Sequence, residues 1–322
     1  MEQRKKQGFI RECHGDLHLG NIALINNQVT PFDGIEFNPG LHWIDVISEI
    51  AFIVMDLHYR GMAPLAYHFL NRYLSQSGDY EGLALLPYYL VYRALVRAKV
   101  ALLRWQQHKN PQDLREAENY ANLAENFSIP KLPSLVITHG FSGSGKSTFS
   151  VGITETFGMI HLRSDVERKR LLSTSKQGGN NKVNQGIYSL ENIQLIYQRL
   201  AELTASIISA GFSVLIDAAF LKLEQRDLFR QLALDKQVDF LIVDFYAPNK
   251  ELKQRIIERQ KLGGDPSEAT LAVLEHQLKT AQPFSISEQR QVILVDTAVE
   301  NAFEKLMTAS PFKDWQATNH QN

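Results

Sequence analysis

Gly140-Phe141-Ser142-Gly143-Ser144-Gly145-Lys146-Ser147-Thr148 decides the reading of this chain. It has the form G-x-x-x-x-G-K-S/T. Leu135-Val136-Ile137-Thr138 just before it is a short apolar, partly β-branched run that predicts a buried strand, and Ser147 to Phe157 predicts a helix. Between strand and helix, this spacing cradles phosphate. Glycines let successive backbone N–H groups turn inward, and the helix N-terminus adds positive potential. Gly140, Ser142, Gly143, Ser144, Gly145, Lys146, Ser147 and Thr148 are therefore the candidate nucleotide-binding residues. Lys146 is placed to reach the β- and γ-phosphates, and Ser147 to hold Mg²⁺.

Downstream, strand and helix signals alternate. Strands are predicted at Leu135–Thr138, Met159–Leu162, Ser213–Ile216, Val238–Phe245 and Val292–Val295. Helices are predicted at about Ser147–Phe157, Val166–Leu172, Glu191–Ala210, Leu223–Leu234, Lys250–Lys261 and Pro266–Thr280. The alternation implies an α/β fold, a parallel sheet with helices on both faces, whose sites lie at the carboxyl edge of the strands. Val214-Leu215-Ile216-Asp217 is an apolar run ending in an acid, so Asp217 is the expected second Mg²⁺ ligand beside Ser147, with Asp244 in Val243-Asp244 the competing choice.

After the second strand comes Arg163-Ser164-Asp165-Val166-Glu167-Arg168-Lys169-Arg170. With the loop and a later arginine-bearing helix, it resembles the small-molecule P-loop kinases, which include gluconate-kinase-like enzymes and zeta-toxin kinases. The resemblance implies Asp165 as the base or orienting group for an acceptor hydroxyl and Arg163 as a substrate contact. The alternative for Ser164 and Asp165 is that they cap the following helix. Arg255 and Arg259, four apart, share a helix face and are the candidates for stabilising a transferring phosphoryl group; pairing of Arg255 with Glu251 is the surface alternative. Gly263-Gly264 then permits a hinge, and Asp265-Pro266-Ser267-Glu268 restarts a helix with a cap, a first-turn proline and a glutamate. Gln177 to Gly186 is a polar loop that fits either closure over an acceptor or a lack of order.

The first segment carries a different signal. His14-Gly15-Asp16-Leu17-His18-Leu19-Gly20-Asn21 and, further on, Asp33 resemble the catalytic and metal-binding stretch of the aminoglycoside phosphotransferase C-terminal lobe. That resemblance implies Asp16 as base and Asn21 and Asp33 as metal ligands, with Trp43-Ile44-Asp45 and the apolar helix after it also matching. Thirteen residues precede His14, too few for the N-terminal lobe of such a kinase. A truncated product, a relict lobe and a partner polypeptide that supplies the missing half all remain open, and no phosphotransfer is expected from this segment alone. Gly40 to Phe127 reads as helical, with a polar last helix from Asp113 to Asn126. Arg93, Arg97 and Arg104 recur at near-helical spacing, for which a solvated face is the ordinary reading and an anionic ligand the alternative. Pro130 and Pro133 break the pattern. The expected organisation is thus 1–128, an incomplete phosphotransferase-like lobe, a linker at 129–133, and 134–322, a P-loop kinase domain.

Composition agrees with a globular chain: 322 residues, 44% hydrophobic, 21% charged, net charge −1. That balance points to no nucleic-acid partner, and the longest apolar run, Leu83 to Tyr92 with Pro87 inside it, is too short to point to a membrane span. The single cysteine, Cys13, excludes an internal disulfide and fits a reducing cytoplasm. Over its whole length the chain resembles bacterial bifunctional aminoglycoside phosphotransferase/ATP-binding proteins. The expectation is an ATP- and Mg²⁺-dependent kinase acting on a small-molecule hydroxyl. No Asn/Thr-Lys-x-Asp guanine motif occurs, which favours ATP over GTP. Its rivals are a non-catalytic or slowly hydrolysing nucleotide switch and a zeta-toxin-like kinase of a nucleotide sugar.

Overall fold

The computed structural model describes residues 2–177, 190–262 and 269–312. The chain divides into two compact units, Met1–Lys131 and Leu132–Asn322. Residues Gly263 to Glu268 and most of the polar loop from Gln177 to Gly186 lie outside the described residues. No helix among those described is long and apolar enough to cross a membrane.

In the first unit, α1 (Glu2–Lys6) leads into β1 (Ile10–Glu12), and a hairpin of β2 (Ile22–Ile25) and β3 (Gln28–Pro31) follows. After the short α2 (Pro39–His42), Trp43–Asp45 is a strand, β4, paired antiparallel with β1. This corrects the helical reading from Gly40. Exposure falls steadily from Trp43 to the buried Asp45, whose side chain accepts the Ile47 N–H and so starts the helix only there. The helices are α3 (Val46–Tyr59), α4 (Ala63–Ser77), α5 (Leu86–His108) and α6 (Pro111–Ser128), each of the last three opened by proline in its first turn. Their packing overturns the solvated-face reading for Arg93 and Arg97, while Arg104 stays on a partly exposed face. Arg93 is buried, donating to the carbonyls of Ser48 and Gly15 over the Phe52 ring, and Arg97 and Arg104 reach Glu116. Buried Arg4 is held between Asp45 and Asp79, which anchors α1 to the helical part of this unit.

The second unit is an α/β fold around a five-stranded parallel sheet in the order β6-β7-β5-β8-β9. The strands are β5 (Ser134–His139), β6 (Ile160–Arg163), β7 (Val214–Asp217), β8 (Asp239–Tyr246) and β9 (Val292–Asp296). Each is a short apolar run because both faces are covered. On one face Val136, Leu215, Leu241, Val243, Phe245 and Val295 pack with Ile153 of α7 (Lys146–Phe157) and with Leu306, in the helix after β9. Each such side chain contributes about 1.5–3 kcal/mol on leaving water. The helices between are α8 (Ser164–Gln177), α9 (Leu190–Ser209), α10 (Leu223–Lys236), α11 (Asn249–Leu262) and α12 (Leu271–Thr280), and α13 (Ala302–Thr308) follows β9. Helix α12 is capped by Thr270, whose hydroxyl accepts the Val273 N–H, and the cap expected at Asp265 to Glu268 lies outside the described residues. Strand β5 is central. The chain runs to one side of it through β6 and β7, then crosses to the other for β8 and β9, so connections part at its carboxyl end.

Candidate active site

The loop between β5 and α7 owes its path to glycine. Gly140, Gly143 and Gly145 have φ of 140°, 85° and 86°. A Cβ on Gly140 would overlap the Phe245 carbonyl oxygen, and one on Gly143 would lie 2.6 Å from that of Leu252. Within the loop, Ser144 N–H donates to Phe141 O, and the N–H groups of Thr148 and Phe149 donate to Gly145 O. The N–H groups of Gly143, Gly145, Lys146 and Ser147 donate to no backbone acceptor among the described residues. Four open amides at the head of a helix make an anion cradle.

Lys146 bends back over this loop, its Nζ 2.8 Å from both the Gly140 and Phe141 carbonyl oxygens. Burial lowers its pKa to about 8, against the pull of Asp217 and Asp165 and with the push of Arg259. Phosphate oxygens would compete with the two carbonyls for the same ammonium.

Asp217 ends β7 at the same edge. Burial works against its ionisation, but His161, Arg163 and the Ser147 hydroxyl outweigh it and hold the carboxyl down at about 2. His161 Nε2 lies 3.5 Å and Arg163 Nε 3.6 Å from Asp217 Oδ2. A hard divalent cation takes oxygen ligands, and an ionised carboxylate acting on the loop serine hydroxyl is such a donor set. Asp244, the competing acid, lies inside β8 directly across from His139, whose Nδ1 is 2.6 Å from its Oδ1. Its carboxylate is engaged there, and Asp217 is the one that meets Ser147.

Asp165 sits in the first turn of α8, its Oδ1 3.1 Å from an Arg168 guanidinium nitrogen. It does not cap that helix, and neither does Ser164. Strand β6 ends at Arg163 and α8 begins at Ser164 with no intervening loop, while Ser164 Oγ donates to the Asp217 carbonyl instead. Arg163 is thus beside Asp217, and Asp165 acts through space on the Lys146 ammonium.

The α11 arginines differ from each other. Arg255 donates to Gly143 O and to both the hydroxyl and the carbonyl of Thr297, tying α11 to the phosphate loop and to the turn after β9. Arg259 donates to Ala269 O and acts on Lys146 through space. Thr297, which sequence reasoning did not single out, also donates to Ser144 O. Its place just past an apolar strand ending in Asp is the signal that marks the same sheet edge. His139 and Gln277 carried no such signal, because the contacts that place them span 105 and 135 residues.

In the first unit, Asn21 Nδ2 donates to the carboxylate and the carbonyl of Asp16, both at 3.0 Å, and Phe32 N–H, one residue before Asp33, donates to Asn21 O. The His18 imidazole, 3.5 Å from Asp16, holds that carboxyl below the ordinary range against the effect of burial. Asp33 has φ of 62°, and Gly15 N–H donates to Glu49, whose carboxyl burial raises.

The cradle, its lysine and the acid at the neighbouring strand end define a P-loop domain. A family model described as an AAA domain matches residues 135–284. Over 271 residues the chain is 31% identical to an uncharacterized protein of Mycobacterium bovis and, equally, to uncharacterized proteins of Mycobacterium tuberculosis. The match takes in 84% of this chain and 54% of each relative, so the chain spans about half their length. Among solved structures, an unliganded sugar kinase from Janibacter sp. is similar at 22% identity, TM-score 0.42, over 55% of this chain and 93% of that one. A gluconokinase from Sinorhizobium meliloti is similar at 18% identity, TM-score 0.40, over 59% and 94%. The APS kinase of M. tuberculosis, in complex with AMPPNP and APS, is similar at 18% identity, TM-score 0.39, over 55% and 97%.

Proposed function

We propose that the second unit is an ATP-dependent kinase that transfers the γ-phosphoryl group to a hydroxyl of a small molecule. The observation that carries this reading is the set of open loop amides at Gly143, Gly145, Lys146 and Ser147, with Asp217 and Asp165 both acting on the Lys146 ammonium. The amides of Gly143, Gly145, Lys146 and Ser147 would take the inner phosphates, and Lys146 would leave its two carbonyls for the β- and γ-oxygens. Ser147 and Asp217 would hold Mg²⁺, which offsets phosphate charge when bound. Asp165 would accept the acceptor hydroxyl's proton as that oxygen bonds to the γ-phosphorus and the bridge to ADP breaks. Arg163, at the end of β6 beside it, would contact the acceptor. Arg259 is the better placed of the two α11 arginines to meet charge on the transferring group, because Arg255 is spent on Gly143 and Thr297.

A second reading rests on Asp165 being paired with Arg168. A carboxylate so engaged suits a slow nucleotide switch that regulates a partner. ADP release against a library of hydroxyl metabolites separates the two. A kinase shows acceptor-stimulated turnover that Asp165→Asn removes while nucleotide binding persists; a switch binds tightly and no acceptor stimulates it.

A further inference from the structure

Among the described residues, one loop amide is taken by a side chain from outside the loop. Ser142 N–H, at the lip of the cradle, donates to Gln277 Oε1 of α12 at 2.9 Å, across 135 residues of sequence. Because Ser142 offers a hydrogen, the carboxamide oxygen and not its NH₂ faces the loop. The contact has a firm base. Phe141, the preceding loop residue, packs with Leu274 of α12 and with Leu252 and Ile256 of α11. Among the described residues, an apolar contact and a hydrogen bond join helix α12 to the phosphate loop, and of these two the hydrogen bond can be exchanged for a ligand oxygen.

We propose that Gln277 is a specificity-determining latch: its side-chain oxygen occupies the amide that the third phosphate of a nucleoside triphosphate takes, so that α12 distinguishes triphosphate from diphosphate. The proposal rests on the nucleotide-binding reading above. The four open amides from Gly143 to Ser147 lie around the helix head and suffice for the inner phosphates. Ser142 is one residue further out, where only the terminal phosphate reaches. A diphosphate leaves the Gln277 bond in place, whereas a triphosphate must break it. Differential contact of this kind lets a ligand shift an equilibrium; equal contact in both states shifts nothing.

Two substitutions at the one position give opposite signs. Gln277→Ala removes the competing acceptor, so Mg·AMPPNP binds about fivefold more tightly, the worth of one net hydrogen bond, while Mg·ADP affinity stays put. Gln277→Glu puts a charged, stronger acceptor on the same amide and opposite the γ-phosphate, so Mg·AMPPNP weakens by about tenfold or more and Mg·ADP by less than about twofold. Calorimetry of both nucleotides on the full chain and both variants, with melting curves to verify folding, reads this directly. Opposite shifts confined to the triphosphate establish the latch. Equal shifts for both nucleotides, or the same sign for both variants, overturn it while leaving the nucleotide site intact. A wild-type chain that binds neither nucleotide overturns the site and the latch together.

Discussion

The Lys146 ammonium titrates near the range in which the protein is handled, and that makes nucleotide affinity a function of pH. Its pKa in the free loop is lowered from 10.5 to about 8, chiefly by burial. Bound phosphates restore the charged form, so the bound-state pKa lies well above that of the free loop. Between the two values, binding must take up a proton, and affinity falls tenfold per pH unit. At about pH 9.5, roughly one free loop in thirty keeps its ammonium, so Mg·AMPPNP affinity drops by about 30-fold from its value at about pH 7. Stability moves the other way. From about 8 up to 10.5 the unfolded chain binds more protons at this lysine than the folded one. This group therefore makes the free protein more stable as pH rises through that window. Weaker binding by a protein that melts no lower separates the effect from alkaline denaturation. Calorimetry at half-unit steps, beside Lys146→Arg, is the assay; the guanidinium stays charged, so the variant binds more weakly but with a flat profile. A flat profile for the wild type, or the same slope in the arginine variant, would refute the reasoning.

Four further outcomes can be measured. Asp217→Asn should abolish the Mg²⁺-dependent part of nucleotide binding and leave a weak Mg²⁺-free part, measured by titration with and without a chelator. In the wild type, the Asp217 carboxyl, lowered from 3.8 to about 2, contributes stability that is full above 3.8 and lost as pH falls through 2, a feature missing from acid melts of the variant. Gly143→Ala should destabilise the second unit by about 1–3 kcal/mol in denaturant titration, since its φ of 85° and the Leu252 carbonyl both oppose a Cβ. The first unit should phosphorylate no aminoglycoside in this chain; drug phosphorylation lost in Asp16→Asn but kept in Lys146→Ala would contradict that.

The second unit was legible to the extent that it is built from local patterns. Its five strands are continuous apolar runs bounded by turns, and parallel strands with both faces covered leave just that trace. The order of the strands was not legible, because pairing such as β5 with β8 is set by contacts about a hundred residues apart. Boundaries shifted where a capping side chain or a missing loop decided them, at Asp45, Ser164 and Thr270. In the first unit, three-residue strands such as β1 and β4 carry too few residues to show alternation, and the arginine row of α5 misled because guanidinium is as well served by buried carbonyls as by water. At the site, the loop residues and Asp217 announce themselves by spacing, whereas Gln277, Thr297 and His139 are defined only by what folding brings beside them.

Thr297 has a consequence for how this domain can vary. Its hydroxyl meets Ser144 of the glycine loop and Arg255 of α11, and its N–H donates to Tyr246 at the end of β8. Turns after edge strands ordinarily absorb insertions without harm. Here a single added residue between Asp296 and Thr297 would dislocate three distant segments at once, so this inconspicuous corner is as intolerant of length change as the glycine motif itself.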